Sequence, residues 1–277
     1  MRIRRGAYCA RERWAGFTPR ERHLALAHAV TRQALTPLLF AGPTAAAAWG
    51  MPILGPFPNE AVVLDRYRGG GRSEPGVRRV TVGAETAEGV QLGGLRVTTI
   101  ARTALDIARS APFEHGVGPV DWALWRKNPR AISRQQLEEE LARFAPRTGA
   151  SRMARAAAFA TELSDSFGES RCRAVIHESG FSTPVLQLEL TDEEGSMFPD
   201  FAWPEVRVLA EFDGEIKFTD PGFSGEDPLA KLRAQRRREA RLRRLSWTIV
   251  RIEWGDLGDR GRVIALLMAA GVPRRGQ

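Results

Sequence analysis

Thiols and imidazoles are scarce here: two cysteines and four histidines in 277 residues. Cys9 and Cys172 stand far apart, in what read as different domains. That argues against both a disulfide scaffold and a zinc cluster. No apolar run approaches the length of a membrane span, and the start Met1-Arg2-Ile3-Arg4-Arg5 has no signal-peptide core. The expectation is a cytoplasmic protein with no membrane partner. Lysine is also rare: Lys127, Lys217 and Lys231 are the only three among 41 basic residues. In a chain that otherwise chooses arginine, a retained lysine suggests the need for a compact ammonium charge.

What is present is arginine, and its placement matters more than the net charge of +8. From Lys231 to Arg251 nine basic residues face Glu239 alone, a local excess equal to that of the whole chain. The basic run reads as a helix from about Lys231 to Arg244, on which Arg233, Arg237, Arg241 and Arg244 share a face by spacing. Such a stripe can track successive phosphates, so a polyanionic partner is expected, nucleic acid first and DNA ahead of RNA. The alternative is a solvated helix in an arginine-rich chain.

Just upstream lie the acids. Phe198-Pro199-Asp200-Phe201 is followed, after a largely apolar run, by Glu211-Phe212-Asp213-Gly214-Glu215-Ile216-Lys217. This pattern puts three carboxylates at the ends of two neighbouring strands. Oxygen-rich clusters suit Mg²⁺ or Mn²⁺. Glu211 and Asp213 share a strand face because alternate residues do. A charge closing a buried strand is either paired or metal-bound, so an arginine partner for Glu211 stays open.

The length favours two domains. In the first, Arg20 to Gln33 reads as a helix, Thr44 as the cap of a short helix ending at Trp49, and Ala61–Leu64, Val77–Val82 and Leu95–Thr99 as strands. Helices are expected from Ile100, near Pro119–Trp125, over Arg134–Phe144 with Ser133 as cap, and over Arg152–Leu163. Arg102 and Asp106 read as a salt-bridged helix start. Beyond a boundary near Ser164–Gly168 the order is helix (about Glu169–Ser179), strand (Pro184–Leu190), turn, strand (Met197–Phe201) and strand (Val206–Phe212). The basic helix, a strand (Trp247–Ile252) and a last helix (Arg260–Ala270) follow. Gln187 falls mid-strand, and His177 reads as a packed or surface histidine.

Several pieces together resemble a known family: Gly168-Glu169-Ser170-Arg171, Pro184-Val185-Leu186-Gln187, Phe198-Pro199-Asp200-Phe201-Ala202-Trp203-Pro204, Glu211-Phe212-Asp213-Gly214 and Ser246-Trp247-Thr248-Ile249-Val250-Arg251-Ile252. They resemble the PD-(D/E)xK nuclease superfamily, in the branch related to the very-short-patch mismatch-repair endonuclease. The resemblance covers roughly the last two fifths of the chain. It implies an α/β (α+β) protein whose residues 164–277 form a restriction-endonuclease-like αβββαβ core. The implied activity is metal-dependent DNA hydrolysis or nicking, with Asp200 and Glu211 as Mg²⁺ or Mn²⁺ ligands and Asp213 as a further ligand or water-orienting group. Glu169 would complete the metal shell. The superfamily's usual lysine position is occupied by Asp213, which leaves Lys217 as its replacement and Lys231 second.

In residues 1–163, Arg4-Arg5-Gly6-Ala7-Tyr8 and Val97-Thr98-Thr99-Ile100-Ala101-Arg102-Thr103-Ala104-Leu105-Asp106 resemble AbiEi-type antitoxins and regulators. That resemblance implies a mixed α/β, partly winged-helix-like domain, here without the helix-turn-helix that normally precedes Arg4. Two rival functions stay open: a DNA-binding regulator or antitoxin with a catalytically silent nuclease fold, and an interaction module needing neither metal nor DNA.

Overall fold

Short strands open the chain, where Arg2–Arg4 (β1) and Ala7–Tyr8 (β2) pair as an antiparallel hairpin. The computed structural model describes residues 1–65, 74–144, 146, 148–214 and 228–276. It divides into two units, Met1–Glu162 and Leu163–Gln277.

In the first unit, β2 leads into Arg11–Ala15 (α1) and Pro19–Gln33 (α2). Thr18 and Glu21 form a reciprocal capping box at the start of α2, satisfying amides that a helix end leaves open. Leu39–Phe40 (β3), Gly42–Trp49 (α3), Ala61–Leu64 (β4), Val77–Val80 (β5), Gly89–Leu92 (β6) and Leu95–Thr98 (β7) follow. The strands form one mixed sheet in the order β5-β4-β3-β7-β6. Ala27 and Val30 of α2 pack with Phe40, Val63, Val77, Leu95 and Val97 in a continuous apolar core. The expected Thr44 cap proves wrong. Thr44 lies inside α3, fully buried, where its hydroxyl meets His23 Nε2 at 2.8 Å and accepts from the Val62 amide at 2.8 Å. Ties to two other elements replace the capping role.

Helices complete this unit: Ile100–Ser110 (α4), Phe113–Leu124 (α5), Arg134–Arg143 (α6) and Ala150–Phe159 (α7). Thr99 caps α4 by accepting from the Arg102 amide, and Ser133 caps α6 with Gln136 in a second capping box. The expected ion pair forms at α4. Arg102 is fully buried, lies 3.2 Å from Asp106, donates to the carbonyls of Val82 and Gly83, and stacks 3.5 Å from the centre of the Phe144 ring. α5 begins at Phe113, so Pro119 is inside the helix instead of at its start.

The second unit opens with Phe167–Glu178 (α8), capped by Ser166. Next come Val185–Leu186 (β8), Leu190–Asp192 (β9), Gly195–Met197 (β10), Phe201–Trp203 (β11) and Val208–Asp213 (β12). Pro228–Arg244 (α9), Thr248–Glu253 (β13) and Arg260–Ala269 (α10) complete it. The main sheet runs β13-β12-β11-β8, with β12 and β13 parallel and the other neighbours antiparallel. A parallel β12–β13 pair requires a crossover, which α9 supplies.

The single strand expected over Pro184–Leu190 breaks in two. Gln187 takes a left-handed backbone (φ 51) and is not mid-strand. After it the chain leaves the main sheet, and β9 pairs instead with β10 in a hairpin. Alternating leucines are compatible with either outcome, because Leu188 and Leu190 still reach a core, the small one around Met197, Leu209, Leu242 and Trp247. The two sheet faces are distinct. Phe201, Trp203 and Ala210 pack with Cys172, Val175 and Ile176 of α8, whereas Ala202 and Leu209 pack with Leu242 of α9.

Candidate functional site

Strand register brings the first two acids together. Phe201 pairs with Ala210 across the antiparallel β11–β12 ladder. One step further along, Asp200 and Glu211 therefore stand opposite each other. Like charges at such positions destabilise a sheet unless something compensates. Two contacts respond to that cost. Asp200 Oδ2 accepts the Phe212 amide at 2.8 Å, which locks its carboxylate across the strands. Glu211 receives the Arg238 guanidinium of α9 at 2.8 Å, and the same arginine donates to the Phe198 carbonyl at 2.7 Å.

The electrostatics still bear the mark of crowding. Burial, reinforced by the charge of Glu211, pushes the Asp200 carboxyl up to about 6, against the opposing pull of the Phe212 amide and Arg238. Glu169, in the first turn of α8, is pushed to about 7, mainly by burial and next by the charge of Asp200. Its carboxylate accepts from the Asp165 amide and the Ser166 hydroxyl, both at 2.8 Å. These bonds oppose the shift without cancelling it. Cys172, fully buried beneath these acids, has its thiol raised well above the usual range by burial, which makes it an inert core residue.

Asp213 occupies the end of β12 and is more exposed than Glu211. Arg251 stands in register with Glu211 on the parallel neighbour β13, reaching Glu211 at 3.7 Å, Asp213 at 3.8 Å and Glu239 at 3.7 Å. Arg251 was legible from the sequence as a last-strand arginine able to reach the acids, and the parallel register of β12 and β13 brings it there. Arg238 is the residue that sequence reasoning missed. Arg238 lies off the stripe singled out by spacing, and only the docking of α9 reveals it.

The stripe itself is divided. Arg241 binds Asp192 at 2.5 Å and the Gly195 carbonyl at 2.6 Å, and Arg244 reaches Glu194 at 2.5 Å. Hydrogen bonding from Arg241 holds Asp192 down at about 2. Arg241 and Arg244 therefore clasp the β9–β10 hairpin and are not held out for a polyanion. Arg233 and Arg237 are exposed and make no ion pair among the described residues, as is true of Arg236. Lys231 falls within α9. Lys217 lies outside the described residues. His177 is half-buried and meets Arg275, away from the acids.

Among the described residues no group of three or more histidines, cysteines or acids is arranged to hold a metal ion. Asp200 and Glu211 remain as a facing pair of carboxylates. That is a chemically adequate set for Mg²⁺, which commonly takes one or two protein carboxylates and fills its octahedron with water and substrate phosphate. Arg238 supplies the positive charge on Glu211 in the structure.

No family model matches the chain, and no solved structure matches it at a significant level. Two curated proteins do: the uncharacterized proteins Rv2248 of Mycobacterium tuberculosis strain H37Rv and MT2308 of strain CDC 1551 / Oshkosh. Each is 30% identical over 200 residues, covering 69% of this chain and 70% of the relative. With more than two thirds of both lengths matched at that identity, the chain belongs to the same family as these mycobacterial proteins.

Proposed function

We propose that the second unit is a metal-dependent endonuclease or nickase acting on DNA, with a restriction-endonuclease-like core. The observation that carries this reading is the facing pair Asp200 and Glu211, two carboxylates set opposite each other on adjacent strands, with Asp200 raised by burial and by the charge of Glu211. The order α8, strands, α9, β13, with a parallel last strand, agrees with the αβββαβ arrangement that the motifs resemble. In this reading Asp200 and Glu211 hold Mg²⁺ or Mn²⁺, and Glu169 and Asp213 stand behind them. The bound cation would supply an acidified water and offset charge on the phosphate. Arg238 and Arg251 orient the carboxylates, and exposed Arg233 and Arg237 provide counter-charge to the backbone. Lys231, and Lys217 beyond the described residues, remain the candidates for a cation at the developing phosphorane.

One observation favours a second reading. Arg238 already neutralises Glu211, as an internal cation would in a fold that binds DNA without cutting it. An AbiEi-type regulator or antitoxin with a silent nuclease fold would look like this. The two separate in one experiment: supercoiled plasmid and linear single-stranded DNA incubated with Mg²⁺, Mn²⁺ or EDTA, alongside an Asp200→Ala, Glu211→Ala variant. Nicking or digestion that needs metal and is lost in the variant is the expected result. DNA shifted but uncut by both proteins would sink the nuclease reading and leave the regulator.

A further inference from the structure

The first unit contains an open cavity of about 1170 Å³, larger than the roughly 300–1,000 Å³ of most small-molecule sites. The hairpin β1–β2, helices α1 and α2, the Pro56–Asn59 segment and the stretch around Glu74 enclose it. Among the described residues four arginines line it, Arg2, Arg4, Arg5 and Arg22. The only acid among the described lining residues is Glu74, which lies 3.8 Å from Arg4 and 3.6 Å from Arg79. Burial holds His23 in its neutral form by lowering its pKa, and both of its ring nitrogens are engaged, so it adds no charge. The lining is therefore cationic in excess. Arg2 and Arg5 are exposed and form no ion pair among the described residues. The Nε of Arg4 is buried with no hydrogen-bond partner among them.

Two aromatic rings share this wall. Trp14 is half-buried, with the Arg22 guanidinium 5.8 Å from its ring centre. Phe57 is half-buried and stacks on His23 at 5.2 Å with an interplanar angle of 24°. Arginine forks match phosphate oxygens two at a time, and flat aromatic faces accept any base. A simple anion site would need only the arginines, and an apolar ligand only the rings.

We propose that this cavity binds unpaired nucleotides, with the base against Trp14 and Phe57 and the phosphate on Arg2, Arg5 and Arg22. The same chemistry is presented by a free nucleotide and by a single-stranded stretch of nucleic acid. The cavity volume favours more than one residue of a strand. This site is built from first-unit residues and does not depend on the acids of the second unit being catalytic.

The test uses the full-length protein in EDTA with a short fluorescent oligothymidylate, reading anisotropy against salt. Arg2→Ala with Arg5→Ala forms one variant and Trp14→Leu another, each checked for native circular dichroism. Arg78→Ala with Arg96→Ala, two exposed arginines of the first unit outside the lining, is the reference and should bind as wild type. The arginine variant should weaken binding at least about tenfold and flatten the salt slope by about 1.4, at roughly 0.7 per phosphate contact on a single strand. Ultraviolet cross-linking should trap peptides containing Trp14 or Phe57. Thymidine monophosphate competing as well as the oligonucleotide identifies a free-nucleotide site, and weak competition identifies a strand site; both uphold the proposal. It is overturned if both lining variants bind as wild type, if cross-links fall only in residues 163–277, or if polyglutamate displaces the oligonucleotide equally well.

Discussion

Glu169 and Asp200 make stability itself a probe of the acidic site. Their carboxyls are raised from ordinary values of 4.5 and 3.8 to about 7 and about 6. Between the ordinary and the raised values the folded protein holds protons that the unfolded chain has already released. Stability from these groups is therefore greatest in mildly acidic solution and is lost as the pH climbs from about 5 through the folded values. Each decade of displacement corresponds to about 1.4 kcal/mol. Because the charge of Asp200 is part of what raises Glu169, the two contributions are not additive, and partial exposure to water trims them. Together they should remove roughly 2–3 kcal/mol between pH 5 and pH 8. Urea unfolding at a series of pH values, in EDTA, measures this against a Glu169→Gln, Asp200→Asn variant. The difference between the two proteins cancels other titrating groups, notably Glu140, which burial also raises in the first unit. The variant should gain on the wild type steadily over that range. A difference that stays flat, or a wild type that gains on the variant as the pH rises, would refute the reasoning that burial raises the two acids in the folded protein.

Two further outcomes follow from the packing. Arg102→Ala strips the guanidinium paired with buried Asp106 and removes the stack on Phe144, so the first unit should lose about 3–5 kcal/mol in urea unfolding, as removal of one partner of a buried pair does; a loss below about 1 kcal/mol would show that the pair is dispensable. Gly168→Ala places a Cβ 2.1 Å from the Phe212 ring, so Phe212 must shift from its edge contact with Trp254. A cost of about 1–3 kcal/mol is expected, with altered tryptophan fluorescence, and an unchanged midpoint would show that the ring yields freely.

Local chemistry alone fixed a good part of the architecture. The pattern Thr18, Pro19, Glu21 announces the start of α2, and Ser133 with Gln136 that of α6, because such caps satisfy helix ends from within four residues. The strands at Ala61, Val77, Leu95 and Val208 were legible from their β-branched apolar runs. So was the placement of Asp200 just before one strand and of Asp213 at the end of its neighbour, whereas Glu211 lies two residues inside that strand. Tertiary structure decided what those side chains meet. Leu186, Leu188 and Leu190 alternate as one strand would, and only the left-handed turn at Gln187, stabilised by the hairpin it permits, breaks them apart. Arg241 and Arg244 looked as available as Arg233 and Arg237 from helical spacing. Their engagement with Asp192 and Glu194 depends on a hairpin 46 to 50 residues away in sequence. Arg238 reaches Glu211 across 27 residues for the same reason. Period and propensity act over a single turn or strand, whereas the partner of a charge is chosen by which elements pack together.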